Sequence, residues 1–144
     1  MKALSVQQPF AGLLVLGIKK CETRSWDTKH RGELAIHASA KMSKEGKESI
    51  DALMQTHPDI FFFGSEAYNY CTQLGSILGT VKVWETFSTN EAAPAGSWEK
   101  VFGDYSKDRF FWCCNNPVKF ISPIPYKGAL SLWNWTPAID TIHA

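Results

Sequence analysis

Residues 17–26, GIKKCETRSW, place two lysines, a glutamate, an arginine and a tryptophan within one short run. Lys19 offers a mobile cation, and Arg24 a planar fork suited to phosphate or carboxylate. Glu22 does not suit a phosphate. Its roles are to hold Lys19 or Arg24, or to handle a proton, since a Lys–Glu pair drawn partly out of water has displaced, coupled titrations. Trp26 is either a stacking surface for a base or a cap on the core. Downstream, Arg31 sits in a turn with Gly32 and is a candidate anion contact. His37, Ser39 and Lys41 lie on or just after the next apolar segment, where each is a candidate contact to the same ligand. The plain alternatives are a fold-stabilising Glu22–Arg24 ion pair, a structural His37 and a turn residue at Ser39.

The whole chain sets the context for that run. Its 144 residues carry 15 Lys and Arg against 14 Asp and Glu, so bulk charge selects no partner. The distribution is uneven. Residues 1–50 hold nine basic and five acidic side chains, a balance of +4, and residues 51–144 hold six and nine, a balance of −3. A local basic excess can attract an anion without making the protein basic, its plain alternative being a solvated face. Aromatic residues make up 13% of the chain and include six tryptophans. Tryptophan is seldom fully buried, so some of these rings are expected to line a groove. Cys21, Cys71, Cys113 and Cys114 form no C-x-x-C pair and have no zinc-finger spacing with histidine. They are read as reduced thiols of a cytoplasmic protein without metal or cofactor. A bridge between the neighbours Cys113 and Cys114 would be strained. The N-terminus lacks the apolar centre of a signal peptide, and no apolar run is long enough to span a bilayer. The length predicts one domain over 1–144, acting as a monomer.

The elements that must position the charged run follow from pattern. ALSV can start a strand. A short helix follows over QQPFAGLLVLG, with Pro9 in its first turn and Gly17 at its end. KKCETRSW then reads as extended chain, and ELAIHA as a strand with Leu34, Ile36 and Ala38 on one face. Residues 43–56 read as a helix capped by Ser43, with a stripe of Ile50, Leu53 and Met54, and residues 65–74 as a third helix. SILGTVKVWETF is a strand with Lys82 and Trp84 opposite Val81 and Val83. Residues 88–108 form a long loop with one helical turn, of a length more often functional than idle. RFFWCC is strand-like, a proline-punctuated segment follows, and a strand through Leu130, Leu132 and Trp133 closes the chain. The expected core includes Leu13, Leu14, Leu34, Ile36, Val81, Val83 and Leu132. Short strands with two or three helices predict an α+β domain on a small curled sheet or mixed β-barrel. His30, His57 and His143 carry no pattern.

The stretch LSVQQPFAGLLVLGIKKCETRSWDTKHRGELAIHAS resembles the first half of an ASCH domain, a family of the PUA-like β-barrels. The family signature G-x-K-x-x-E-x-R is filled by Gly17, Lys19, Glu22 and Arg24. Gln8-Pro9, Arg31-Gly32 and IHAS fit the same pattern, as do Trp112, Asn116-Pro117, Pro123, Pro125, Gly128 and Trp133 in the tail. The resemblance implies that the signature sits beside the mouth of a cleft where the first helix hands over to a strand. An ideal strand would send Glu22 and Arg24 to one side and Lys19 to the other. A meeting of Lys19 and Glu22 at that mouth therefore needs a bend near Lys20, which the resemblance supplies. Three functions fit these residues. One is an RNA- or nucleotide-binding module with a cationic cleft, using Lys19, Arg24, Trp26, Arg31, His37, Ser39 and Lys41. A second is a hydrolase acting on RNA or on an acetylated cytidine, with Lys19 and Glu22 as its catalytic groups. In the amidohydrolase branch a lysine, a threonine and a later glutamate do the chemistry. Lys19 matches the first, Glu22 stands at the threonine position, and Glu85, Glu91 and Glu99 are candidates for the last. For RNA cleavage His37, Tyr126 or Ser131 could assist Lys19. The third is a reader of a modified base without turnover.

Overall fold

The structure is a computed structural model, and it describes residues 1–137; His143 lies outside them. Ten elements follow in order: β1 (Lys2–Val6), α1 (Phe10–Val15), β2 (Cys21–Arg24), β3 (Gly32–Ala38), α2 (Lys44–Thr56), α3 (Glu66–Thr72), β4 (Ser76–Ser88), α4 (Ser97–Val101), β5 (Phe110–Pro125) and β6 (Leu132–Asn134). This is the α+β arrangement expected. The fourth helix, α4, is the single turn foreseen inside the 88–108 segment.

Local signals place most of these elements. Ser43 caps α2 by accepting the Gly46 N–H at 2.9 Å, and Ser65 caps α3 by accepting the Tyr68 N–H at 3.2 Å. At the end of α1 the N–H groups of Ile18 and Lys19 both return to the Leu13 carbonyl at 3.0 Å. Gly17 makes that reversal possible at φ +74°, a conformation that costs glycine little.

The strands form one mixed sheet of six in the order β2-β5-β4-β3-β1-β6. β1 pairs with β3 in parallel, and the other pairings are antiparallel. β2 and β6 end the ladder and do not pair with each other, so the curled sheet stays open along one seam.

Both faces are covered. Leu4, Val6, Leu34, Ile36, Val81, Val83 and Trp112 pack with Leu14 and Val15 of α1. On the other face Ala3, Ala35, Ile77, Phe120 and Trp135 form a smaller cluster. That double burial explains why β3 is buried on successive residues although its sequence alternates. A helical cluster of Leu13, Ile50, Leu53, Phe61, Cys71 and Phe102 joins the four helices. Six of the seven expected core residues are buried; Leu132 is half-buried against the main cluster.

β5 extends well past the segment RFFWCC, running on through three prolines. The β4–β5 ladder tolerates Pro117 and Pro123 because its register shifts around them, and Pro125 pairs with Ser76 at the end of the strand. Between the pairs Gly79–Lys119 and Ile77–Ile124 the two strands advance by unequal numbers of residues, and Pro123 falls in the unpaired excess. The Tyr70 hydroxyl, 2.6 Å from the carbonyls of both Leu78 and Phe120, donates to one of them where the ladder is broken.

α1 and α3 cross at Gly12, where an added Cβ would lie 2.8 Å from Cys71 Cα. Gly12→Ala should therefore destabilise the protein by about 1–3 kcal/mol through overpacking against backbone. Urea unfolding checks this, and a neutral effect would mean that the two helices can separate freely.

Candidate functional site

The open seam of the sheet forms a cleft of about 610 Å³. One wall is β2 and the residues after it, from Glu22 to Trp26. The other is the end of β1 with the turn before β6, Ala129 to Ser131. Phe10, Ser39, Glu45 and Ser49 line one end, and Val101 to Asp104 with Arg109 the other.

Glu22 and Arg24 meet in this cleft, as alternation on a strand requires. Glu22 Oε2 accepts from Arg24 Nε at 2.9 Å and lies 2.8 Å from Nη2. Arg24 Nη2 also donates to the Ser5 carbonyl at 2.7 Å, so the guanidinium bridges the seam from β2 to β1. Among the described residues no hydrogen bond engages Glu22 Oε1 or Arg24 Nη1, which leaves an acceptor and a donor without a protein partner. Trp26 is half-buried on the same wall, with its ring edge-on to the buried Trp112 at 4.9 Å. The ring is both a core cap and part of the cleft.

Lys19 does not join them. Its side chain is 1% exposed, and Nζ lies 3.4 Å from Glu99 Oε1 and donates to the Cys21 carbonyl. The same Glu99 carboxylate accepts the backbone N–H of Cys21 at 2.9 Å and of Lys20 at 3.1 Å. The bend expected near Lys20 does not bring Lys19 to Glu22, because the helix end at Gly17 and the strict alternation of β2 aim the two side chains at different partners. The cation expected at the cleft mouth is thus a buried member of an ion pair. Of the three glutamates open as a later partner, Glu99 is the one at the signature lysine. Glu85 pairs with Arg31 at 2.9 Å on the surface, and Glu91 is exposed. Cys114 marks how close the charges come. Burial first, and then the charge of Glu22, push its thiol up to about 12, while Lys19 pulls the other way.

The other expected contacts divide. Ser39 and Ser131 line the cleft. Arg31 is exposed and tied down by Glu85, Thr86 and the carbonyls of Thr28 and His30, away from the cleft. Lys41 is exposed and Tyr126 half-open, and neither lines it. His37 is a structural lock. Its Nε2 donates to the Tyr126 carbonyl at 2.7 Å, and Nδ1 is hydrogen-bonded to the Ser5 hydroxyl at 3.0 Å. Gly128 packs on the ring so closely that a Cβ there would lie 2.6 Å from Cε1.

Sequence reasoning did not find Arg109, Asp104 or Phe10. Asp104 is held below the usual carboxylate range by hydrogen bonds from the Ser106 hydroxyl and N–H, then by Arg109. The cleft lining therefore carries three carboxylates, Glu22, Glu45 and Asp104, beside two guanidiniums, Arg24 and Arg109. It is mixed in charge, where a cationic cleft was expected. The basic excess of residues 1–50 is spread over exposed lysines, including Lys2, Lys20, Lys29, Lys41, Lys44 and Lys47. Among the described residues no group of His, Cys, Asp and Glu is placed to hold a metal ion, and no helix is long and apolar enough to cross a membrane.

A model of the ASCH domain matches residues 4–124. The chain is 35% identical over 133 residues to activating signal cointegrator 1 of Homo sapiens and 32% identical to that of Mus musculus. Each match takes in 90% of this chain, which spans 21% of the length of those relatives. The crystal structure of ASCH from Zymomonas mobilis superposes with a TM-score of 0.53 at 13% identity, covering 94% of this chain and 87% of that one. That likeness is one of fold.

The Lys19–Glu99 pair makes a prediction about folding. Lys19→Ala would leave a buried carboxylate without its cation and should cost about 3–5 kcal/mol in urea unfolding at neutral pH. A loss below about 1 kcal/mol would place the ammonium in solvent.

Proposed function

The chain belongs to the ASCH domain family, and from that premise we propose that residues 1–144 act as one module that binds RNA or a nucleotide at the open seam of the sheet. The observation that carries this reading is Arg24, fixed by Glu22 and the Ser5 carbonyl, with Trp26 on the same wall. A guanidinium already held on two sides loses little freedom when it binds a ligand oxygen. Its neighbour Glu22 Oε1 can accept a base N–H, and the ring of Trp26 offers a stacking surface. A volume of about 610 Å³ lies in the range of small-ligand sites, enough for a nucleotide or a splayed base. The mixed charge favours a short single-stranded segment, read by its bases, over a long backbone tracked by cations alone. Exposed lysines of residues 1–50 would add a salt-sensitive, non-specific component.

A hydrolase acting on RNA or a modified nucleoside is the second reading. It is favoured by the Lys19–Glu99 contact, which unites the signature lysine with a later glutamate. Against it stand the burial of Lys19 and the glutamate at position 22.

Fluorescence anisotropy with a labelled single-stranded RNA over a series of salt concentrations tests the proposal. Affinity should fall steeply with salt. Arg24→Ala should weaken binding about 10- to 100-fold, as expected for loss of a charge-assisted contact. Arg109→Ala should lower the salt slope by about 1. Arg31→Ala, whose guanidinium is occupied on the surface, should change affinity less than about twofold. Absent or salt-insensitive binding would reject the reading, and cleavage or deacylation products in the same samples would favour the hydrolase.

A further inference from the structure

Cys21 faces Cys113 directly across the β2–β5 ladder. The Cys114 N–H donates to the Lys20 carbonyl at 2.8 Å. The N–H and carbonyl of Cys21 itself turn outward, to Glu99 and Lys19. This is the pattern of a non-hydrogen-bonded antiparallel pair, in which Cα atoms lie about 4.5 Å apart and the side chains approach most closely. A disulfide spans Cα separations of about 4.4–6.8 Å, so the two sulfurs can join without moving either strand far. The other two thiols are placed elsewhere. Cys114 points to the opposite face, into the main core, and Cys71 lies between α1 and α3. Cys21 and Cys113 share a small cluster with Phe111, covered by Tyr105 and Ala92 of the 88–108 segment.

We propose that Cys21 and Cys113 form a peroxide-reactive dithiol that closes to a cross-strand disulfide. The two thiols shift in opposite directions: contact with the Cys21 thiol lowers Cys113, and contact with Cys113, with burial, raises Cys21. In the step proposed, Cys113 acts as the attacking thiolate. It attacks one oxygen of hydrogen peroxide, the O–O bond breaks, and the departing hydroxide takes up a proton as water, leaving a sulfenic acid on Cys113. The Cys21 sulfur then gives up its proton and attacks the Cys113 sulfur, and the sulfenic oxygen leaves with that proton as a second water. Two thiols and one peroxide become one disulfide and two waters, and the two electrons pass from the sulfurs to the peroxide. The residues are only 7% and 8% exposed, so a small neutral oxidant reaches them where glutathione disulfide does not. The bridge would tie β2, which carries Glu22 and Arg24, to β5, its one neighbour in the sheet.

The test uses the full chain, reduced, freed of reductant and treated with hydrogen peroxide. Thiol titration in denaturant should fall from four groups per chain to two. Non-reducing peptide mapping should show a Cys21–Cys113 link lighter by two hydrogens, reversed by dithiothreitol. In Cys21→Ser no link should form, and Cys113 should proceed to sulfinic and sulfonic acid. Mapping of the parent chain decides the matter even if a serine variant folds poorly. Unreacted thiols, a link through Cys71 or Cys114, or over-oxidised Cys113 without a link in the parent chain would each overturn the proposal.

Discussion

The buried contact between Lys19 and Glu99 constrains the rest of the molecule. β2 is four residues long and has one neighbour in the sheet, so the outward N–H and carbonyl of Cys21 face no strand. Exposed strand edges of this kind invite pairing with other chains unless something covers them. Here Glu99 takes the N–H groups of Lys20 and Cys21, and Lys19 takes the Cys21 carbonyl. One ion pair thereby covers the Cys21 end of that edge and anchors the long 88–108 segment to the start of β2. Desolvating two charges makes such a pair a weak source of net stability. Its effect lies in geometry, because every partner has a fixed direction.

The cleft follows from a second constraint. The sheet curls but does not close, and the seam between β2 and β1 is crossed by a side chain rather than by a ladder. Arg24 makes that crossing to the Ser5 carbonyl while Glu22 neutralises it. A closed ladder here would have consumed the space. An open seam without Arg24 would leave the Ser5 carbonyl and the Glu22 carboxylate competing for water. The same pair is thus a structural tie and the most chemically capable feature of the cleft. Around it lie apolar walls from Phe10, Trp26 and Phe102, and the hydroxyl of Ser39.

The far side of the seam is held by polar contacts buried beneath it. His37 locks Ser5 to the carbonyl of Tyr126, and Tyr126 stacks on Trp133 with ring planes 10° apart. Gln8 is fully buried and has both amide groups satisfied, donating to the carbonyls of Tyr70 and Gln73 and accepting the Gly12 N–H. Polar residues near a signature invite catalytic readings. Here their hydrogen-bond capacity is spent on positioning β1, α1 and the closing segment.

Much of this was legible in the chain. The cap at Ser43, the helical pattern of 65–74, the stop at Gly17 and the alternation of Glu22 with Arg24 are local rules, acting over a few residues through backbone geometry and hydrogen bonding. They place α2, α3, the end of α1 and the Glu22–Arg24 pair from sequence alone, and the ordered motif from Gln8 to Ser39 identifies the family. The course of β5 was not legible, since prolines signal a break unless bulges in their own strand absorb them. Nor was the choice of Glu99 over Glu85 and Glu91, or the burial of Lys19. Lys19 and Glu99 stand 80 residues apart, and nothing local distinguishes three glutamates in the acidic stretch 51–144. Only the tertiary structure, which leaves the outer edge of β2 unpaired and brings one turn of helix over it, decides which carboxylate must be buried there and hence which cation must follow it.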